Sequence, residues 1–244
     1  MTQTLNHTVD VRSLVRPTSG TSPETALRQD PLTGTLVSVL NPRPLSLDTA
    51  TVLIDDYLER LTELVPREDV AQWVITETCH AGLVTAEFTG YSGPTHHTRV
   101  VAEQGRRWRQ RASGDLLTDV MTAELLEGDR MLLNNAHWIA FAPYASAHHR
   151  EIMIVPKAPA RTLVATTDEE REDLATTYRQ LMGALLRAFG PQLSYHATWT
   201  MAPIPHCREI SRLWCSVTVQ DAPVDSTADA TTPERTAAWL RRLL

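Results

Sequence analysis

The sequence predicts an α+β fold made of two similar units, each a small antiparallel sheet crossed by a helix. Segments with helix and strand periodicity follow the order strand, helix, strands, and then strands, helix, strands. This order lacks the regular strand and helix alternation of a doubly wound parallel sheet. A chain of 244 residues is also long enough to bury a core without disulfides or metals.

The first unit is expected over residues 29–112, after an N-terminal arm over residues 1–28 whose Thr, Ser, Pro and charged residues show no period. Its helix is expected to begin at Ser46 or Asp48 and to end at Pro66, because apolar residues recur there on one helical face. Those residues are Leu53, Tyr57, Leu61 and Leu64. The other elements expected are strands over 35–40, 73–78, 83–89 and 99–102, a strand-ending segment over 41–44, and a loop over 91–98 broken by Gly and Pro.

The second unit is expected over residues 113–220, followed by a polar linker and a terminal helix over residues 221–244. The later of its two helices is expected to begin with a capping box formed by Thr167 and Glu170 and to end at Gly190. Its first helix is expected from about Asp115, capped by Ser113, to Gly128, with Leu117, Val120, Met121 and Leu125 facing inward. The strands expected are 130–133, 137–141, 151–155, 194–200 and 213–219.

Composition limits the classes of partner. The net charge is -6, and no basic stripe interleaved with aromatic residues indicates a nucleic-acid partner. No run of about 18 apolar residues indicates a membrane helix. The three cysteines have no C-x-x-C spacing, which argues against a disulfide framework and a cysteine-rich zinc site. We therefore expect a soluble cytoplasmic protein that binds neither nucleic acid nor membrane.

Three stretches of the chain carry a family resemblance. The first is the turn Asp30-Pro31-Leu32-Thr33-Gly34 with the following strand and Asn41-Pro42-Arg43-Pro44. The second is the strand His137 to Tyr144, followed by Glu151 to Lys157 and the helix at Thr167. The third is Ser92-Gly93-Pro94-Thr95-His96-His97-Thr98-Arg99. Together they resemble the galactose-1-phosphate uridylyltransferases of the histidine-triad (HIT) superfamily, in which the third stretch reads Ser-Asn-Pro-His-Pro-His-x-Gln.

The resemblance implies a HIT-like fold and assigns roles to named residues. His97 matches the histidine that attacks the α-phosphorus of a nucleotide sugar in the family, giving a nucleotidyl-histidine and a sugar phosphate. Ser92, Thr95, His96 and Arg99 would then bind substrate. Glu77 lies near the place where the family contacts the nucleotide, although an outward-facing strand carboxylate is the simpler interpretation of that residue. Family analogy also implies a homodimer.

The departures from the family pattern concern metals and the sugar. The first motif histidine is Thr95 here, and the family's late metal-binding histidines fall on Thr198-Trp199-Thr200 and Trp214-Cys215-Ser216. We therefore expect no metal and no cofactor, with Trp214 filling the vacated space. Arg99 replaces the family's glutamine. A charged guanidinium beside a phosphohistidine is expected either to stabilise that intermediate too strongly for turnover or to bind a different anion. The chain is shorter than family members and lacks their hexose-phosphate segment, so galactose 1-phosphate is not the expected substrate.

Three hypotheses for function follow from these residues. The first is a nucleotidyl or phosphoryl transferase, or hydrolase, that acts on a small nucleotide or nucleotide sugar through a covalent intermediate at His97. The second is a repurposed enzyme of bacterial specialised metabolism, a biosynthetic protein that uses His97 as a general acid or base. The third is a non-catalytic nucleotide-binding subunit.

Overall fold

A computed structural model describes residues 27–80, 82–146, 148, 150–204, 209–220 and 232–244. Within these ranges, nine strands form one sheet in which every neighbouring pair is antiparallel. The strands are β1 (Arg28–Gln29), β2 (Leu36–Pro44), β3 (Gln72–His80), β4 (Leu83–Tyr91), β5 (Met131–Asn134), β6 (Trp138–Phe141), β7 (Glu151–Pro156), β8 (Ser194–Thr200) and β9 (Trp214–Gln220). Their order across the sheet is β1-β2-β4-β3-β8-β9-β7-β6-β5.

Five α-helices accompany the sheet in the described ranges. They are α1 (Leu47–Leu64), α2 (His96–Arg109), α3 (Leu116–Glu127), α4 (Asp168–Phe189) and α5 (Pro233–Arg241). Short 3-10 turns lie at Leu163–Ala165 and Gly190–Gln192. The predicted helices at residues 46–66, 167–190 and from Pro233 are confirmed, and so is the capping box, in which Thr167 and Glu170 each bond the other's backbone.

The two predicted half-sheets are joined into one. β3, from the first half, pairs with β8, from the second, over the six residue pairs from Val74↔Thr200 to Cys79↔Tyr195. Each half therefore covers an edge that would otherwise expose unpaired backbone groups. The α+β prediction of two antiparallel half-sheets crossed by helices is confirmed, with α1 and α4 as the crossing helices.

One face of the sheet carries the main core beneath α1, α4 and α5. The apolar residues predicted for α1 are all buried there, and Trp73, Trp138 and Trp199 pack into the same core. The buried residues of α4 that face them are Leu174, Tyr178, Leu181 and Leu185. Because side chains alternate along a strand, the neighbours of these strand residues point to the opposite face. That opposite face holds a second, smaller cluster of Ala102, Met121, Ile139, Phe141, Val155, Ala202, Ile210 and Trp214, which α2 and α3 cover.

The predicted strand over 99–102 is wrong, because these residues lie in α2. The β-branched residues Val100 and Val101 suggested a strand, but Thr95 caps a helix here, and the residues 102–104 that follow are strong helix formers. Glu103 also pairs with Arg106 and Arg107, one turn away on the helix surface.

Three further predictions need correction. The N-cap of α3 is Asp115 and not Ser113. The predicted inward face of this helix is also wrong in part, because Val120 and Leu125 are 38% and 39% exposed. Of the four residues predicted to face inward, Met121 is buried and Leu117 is half-buried. β2 continues through 41–44, because a register shift between Leu40 and Arg43 accommodates the prolines. Leu27 and Arg28, the last two residues of the expected arm, belong to the fold, because Leu27 is buried and Arg28 lies in β1.

None of the described helices is both long and apolar enough to span a membrane.

Candidate functional site

The predicted histidine motif begins where β4 ends and finishes in the first turn of α2. Tyr91 is the last residue of β4, and Ser92 to Pro94 make the bend between strand and helix. Thr95 is the N-cap, with its side-chain oxygen accepting a hydrogen bond from the Thr98 amide at 3.2 Å. His97 is thus the second residue of a helix, where the sequence predicted a loop, and its side chain is exposed.

A buried glutamine holds this turn against the sheet. The Gln72 side chain, 1% exposed, accepts from the Thr95 amide at 2.8 Å and donates to the Thr98 hydroxyl at 2.8 Å. It also donates to the Met201 carbonyl, just after β8, at 2.8 Å. Thr95 and Thr98 flank the two histidines, so Gln72 fixes their backbone from both halves of the sheet. Gln72 is absent from the predicted site residues, although a polar residue that opens a mostly buried strand is a recognisable signal.

The start of α2 also offers donors for an anion. The first intrahelical bond runs from the Arg99 amide to the Thr95 carbonyl at 3.0 Å, so the amides of His96 and His97 precede the helical ladder. Amides at a helix N-terminus, together with the helix dipole, favour a phosphate. The Thr95 carbonyl keeps a second lone pair, which allows one further hydrogen bond.

The polar motif residues surround this helix start. Ser92, His96 and Arg99 are exposed, and Thr95 is half-buried. Arg99 donates from Nη1 to the Pro94 carbonyl at 3.0 Å, which folds its guanidinium back over the bend. The remaining donors of this planar fork allow a charge-assisted bond to an anion held at the same place.

The imidazole of His97 lies against a tryptophan of the second half. The ring centroids of His97 and Trp214 are 6.1 Å apart, with a tilt of 54° between the planes. Trp214 is 4% exposed and packs among the apolar residues of the second cluster. Trp214 therefore links the motif of the first half to the interior of the second.

Trp214 also forms part of the wall of a pocket between α2, α3 and the sheet. The pocket has a volume of about 310 Å³, and most of its lining is apolar, with Val101, Leu117, Val120, Phe141, Met153 and Ile210. Its two acidic side chains are paired with arginines, Glu124 with Arg130 at 2.9 Å and Glu209 with Arg109 at 3.3 Å. No sequence pattern predicts this pocket, because its lining residues come from distant segments.

Glu77 lies away from these residues, in the main core. Its carboxylate is fully buried and accepts hydrogen bonds from Tyr57 at 2.6 Å, from Tyr178 at 2.7 Å, and from Tyr195. The interpretation of Glu77 as an outward-facing carboxylate is therefore wrong, and its side chain lies on the opposite face of the sheet from Trp214. We leave Glu77 out of the proposed site, because a substrate beside His97 cannot reach it through the sheet.

Burial raises the pKa of the Glu77 carboxyl, although the tyrosine hydrogen bonds act in the opposite direction. The same environment raises the pKa values of all three tyrosines well above their usual range, first through burial and then through the neighbouring Glu77 charge. The tyrosines thus stay protonated and donate to the carboxylate.

The residues that the resemblance aligns with the family's metal ligands do not fit a metal. Thr200 pairs with Trp214 across β8 and β9, and Thr198 pairs with Ser216, so hydroxyls and a buried indole stand where imidazoles would be needed. Within the described ranges, no group of three or more His, Cys, Asp or Glu side chains is arranged to hold an ion. We route no chemical step through a metal.

The chain is similar in sequence to one group of enzymes. Residues 101–220 match the family model of the galactose-1-phosphate uridyl transferase C-terminal domain, a match that begins after His97. A galactose-1-phosphate uridylyltransferase of Streptomyces lividans is 26% identical over 168 residues, 65% of this chain and 48% of that protein. The corresponding enzyme of Rattus norvegicus is 28% identical over 89 residues, 36% of this chain and 24% of its own. The chain thus spans about half or less of the length of these relatives.

Solved structures show the same fold. A uridylyltransferase structure aligns with a TM-score of 0.71 and 20% identity, covering 86% of this chain and 74% of that one. An ADP-glucose phosphorylase from Arabidopsis thaliana with bound ADP-glucose aligns with a TM-score of 0.66 and 12% identity, covering 81% of this chain and 66% of the other. At these identities the similarity establishes the architecture alone.

Proposed function

We propose that this chain, which is similar to galactose-1-phosphate uridylyltransferases, transfers a nucleotidyl or phosphoryl group from a small nucleotide or nucleotide sugar through His97. The observation that carries the proposal is the placement of His97 in the first turn of α2, next to the amides of the helix start. The position of the histidine supplies a nucleophile, and the amides supply anion binding, so both needs of phosphoryl transfer are met within one turn.

The reaction would proceed in two displacements. One nitrogen of the neutral His97 imidazole attacks the α-phosphorus with its lone pair, a P–N bond forms, and the P–O bond to the leaving phosphate breaks, with the electron pair leaving on that oxygen. A phosphate oxygen of the acceptor, or water, then attacks the same phosphorus, and the P–N pair returns to the ring. With water as acceptor the reaction is a hydrolysis, and its proton passes to solvent.

The chain's own residues support each displacement. The amides of His96 and His97 and the hydroxyl of Ser92 bind the non-bridging oxygens, whose negative charge is held in place as the bonds change. The Thr95 carbonyl accepts the far ring N–H of His97 and so fixes the tautomer. Gln72 acts as a positioning residue that does not touch the substrate. Its bonds to the Thr95 amide and the Thr98 hydroxyl hold the helix start that carries the Thr95 carbonyl and the amides of His96 and His97.

The proposal is tested by trapping the intermediate. We expect incubation with UDP-glucose or ATP carrying a radioactive α-phosphate to label the protein, and the label to be lost in acid and kept in alkali, as a phosphoramidate requires. Peptide mass spectrometry should place the added nucleotidyl group on His97. Turnover that depends on His97 without any labelled protein would contradict the covalent step and favour acid–base chemistry. Nucleotide binding without turnover would instead favour a binding subunit.

Arg99 is expected to control how long the intermediate lasts. Its guanidinium lies at the bend and stabilises a phosphorylated His97 by charge, whereas a glutamine donates without charge. Arg99→Gln should therefore raise the rate at which trapped label is released by about tenfold, as expected for one charge-assisted bond. The measurement is single-turnover release after removal of free nucleotide. Arg106→Gln, at an exposed position near the other end of α2, is the matched control, and equal release rates in the two variants would contradict this role.

A further inference from the structure

We propose that the pocket beside Trp214 binds a flat apolar group, such as an aromatic ring system, carried by the group that leaves or accepts at His97. This inference rests on the proposed function, since it names the substrate class of the same site. Three features of the pocket support it: its lining, its charge, and its position relative to the imidazole.

The lining favours an apolar ligand over a sugar phosphate. Aliphatic side chains from α2 and α3 face Phe141, Met153 and Trp214 from the sheet. The polar side chains Glu124, Glu209 and Ser211 of the lining already bond other residues. A hexose buried here would therefore leave most of its hydroxyls without partners, and each unsatisfied hydroxyl costs about 1–3 kcal/mol. An aromatic ring would lose no hydrogen bonds and would gain contacts with the indole.

The charges of the pocket exclude a phosphate from its interior. No lysine, arginine or histidine belongs to the described lining, and the two acidic side chains there are held by arginines. Exposed donors for an anion occur instead at the helix start, with Arg99 and the amides of His96 and His97. The phosphate and the apolar group of one substrate would therefore occupy two different places.

Trp214 sets the distance between these two places. It lines the pocket on one side, and its ring centroid lies 6.1 Å from that of His97. A group seated in the pocket is thus separated from the nucleophile by a single side chain, a spacing that suits an aryl group bonded to the reacting phosphate. The volume of about 310 Å³ is near the lower limit for small-molecule pockets, which suits one or two fused rings.

The first test measures binding of a neutral aromatic dye, N-phenyl-1-naphthylamine, by its fluorescence increase. We expect saturable binding at one site per chain. Val120→Trp, which fills the pocket from α3, should weaken binding at least about tenfold, and Val120→Phe should weaken it by less. Leu126→Trp is the matched control, because Leu126 lies on the same helix, is 82% exposed and does not line the pocket.

Equal binding by Val120→Trp and Leu126→Trp, or no saturable binding by the unaltered protein, would overturn the inference. Equal thermal unfolding midpoints for these two variants would show that the loss is local. His97→Ala should bind the dye as the unaltered protein does. A protein that binds dye but takes no covalent label would therefore count against the proposed function without counting against the pocket.

A second test ties the pocket to the substrate. The 1-naphthyl ester of uridine 5′-monophosphate should displace the dye at a concentration at least about tenfold lower than the methyl ester does, because only the naphthyl group reaches the pocket. This preference should persist in Leu126→Trp and disappear in Val120→Trp. Equal displacement by the two esters would show that the pocket is not part of the substrate site.

Discussion

His97→Ala is expected to lower the turnover of a nucleotide sugar by at least about a thousandfold, because a covalent route cannot proceed without its nucleophile. Binding of the nucleotide should change little, since the amides at the start of α2 and the Arg99 side chain remain. The measurement is steady-state turnover together with nucleotide affinity, so that a loss of chemistry is separated from a loss of binding.

Two other histidines provide controls for this prediction. His80→Ala removes an exposed imidazole at the end of β3, outside the motif, and should leave turnover unchanged. His96→Ala removes the neighbour of His97, which projects about 100° away around the helix, and covalent labelling should persist. Equal losses of turnover in His96→Ala and His97→Ala would argue against a single nucleophile at position 97.

Glu77→Ala is expected to lower the free energy of unfolding by about 3–5 kcal/mol. The substitution removes the acceptor shared by Tyr57, Tyr178 and Tyr195, leaving three buried hydroxyls around a new cavity. The measurement is urea denaturation near neutral pH. Glu87→Ala, an exposed carboxylate on the adjacent strand β4, is the matched control and should change stability by less than about 1 kcal/mol.

Comparing the free energy of unfolding of Glu77→Gln with that of the unaltered protein shows how the Glu77 carboxyl makes stability depend on pH. Burial raises the pKa of Glu77 in the folded protein above its unfolded value, so the native state holds this proton more tightly. The stability it contributes is complete below the unfolded pKa and is lost as pH rises through the folded pKa. The stability difference between Glu77→Gln and the unaltered protein should therefore shift in favour of the glutamine as pH rises. A difference that does not vary with pH would show that Glu77 keeps an ordinary pKa when folded.

Local signals predicted most of the fold. The capping box at Thr167, the apolar stripe of α1, and the strands β3 and β4 each depend on residues close together in sequence, and each is confirmed. The elements that failed depend on distant residues. The β-branched residues near the start of α2 predict a strand. The helix forms because Gln72 of β3 holds the Thr95 cap, a contact that depends on the packing of β3 against α2 and not on the local sequence.

The candidate site was predictable only in part. The motif located His97, but the helical setting, the contact with Trp214 and the pocket arise from packing between the two halves. Glu77 could have been placed correctly from its strand, because it alternates with Ile75 and Cys79, which share its face and are apolar. A carboxylate on such a face needs buried donors, and here they come from three separate elements, α1, α4 and β8.

The β3 and β8 pairing has a consequence for how substrates enter. Enzymes with two domains commonly close around their ligand by bending a flexible connection. Here the two halves are joined in the middle of one sheet by six consecutive β-ladder pairs between β3 and β8. Bending there would break several backbone hydrogen bonds at once. The His97 ring from one half and the Trp214 indole from the other are therefore held at a fixed spacing. Under the proposed function, the site would have to select substrates by a shape that exists before they bind.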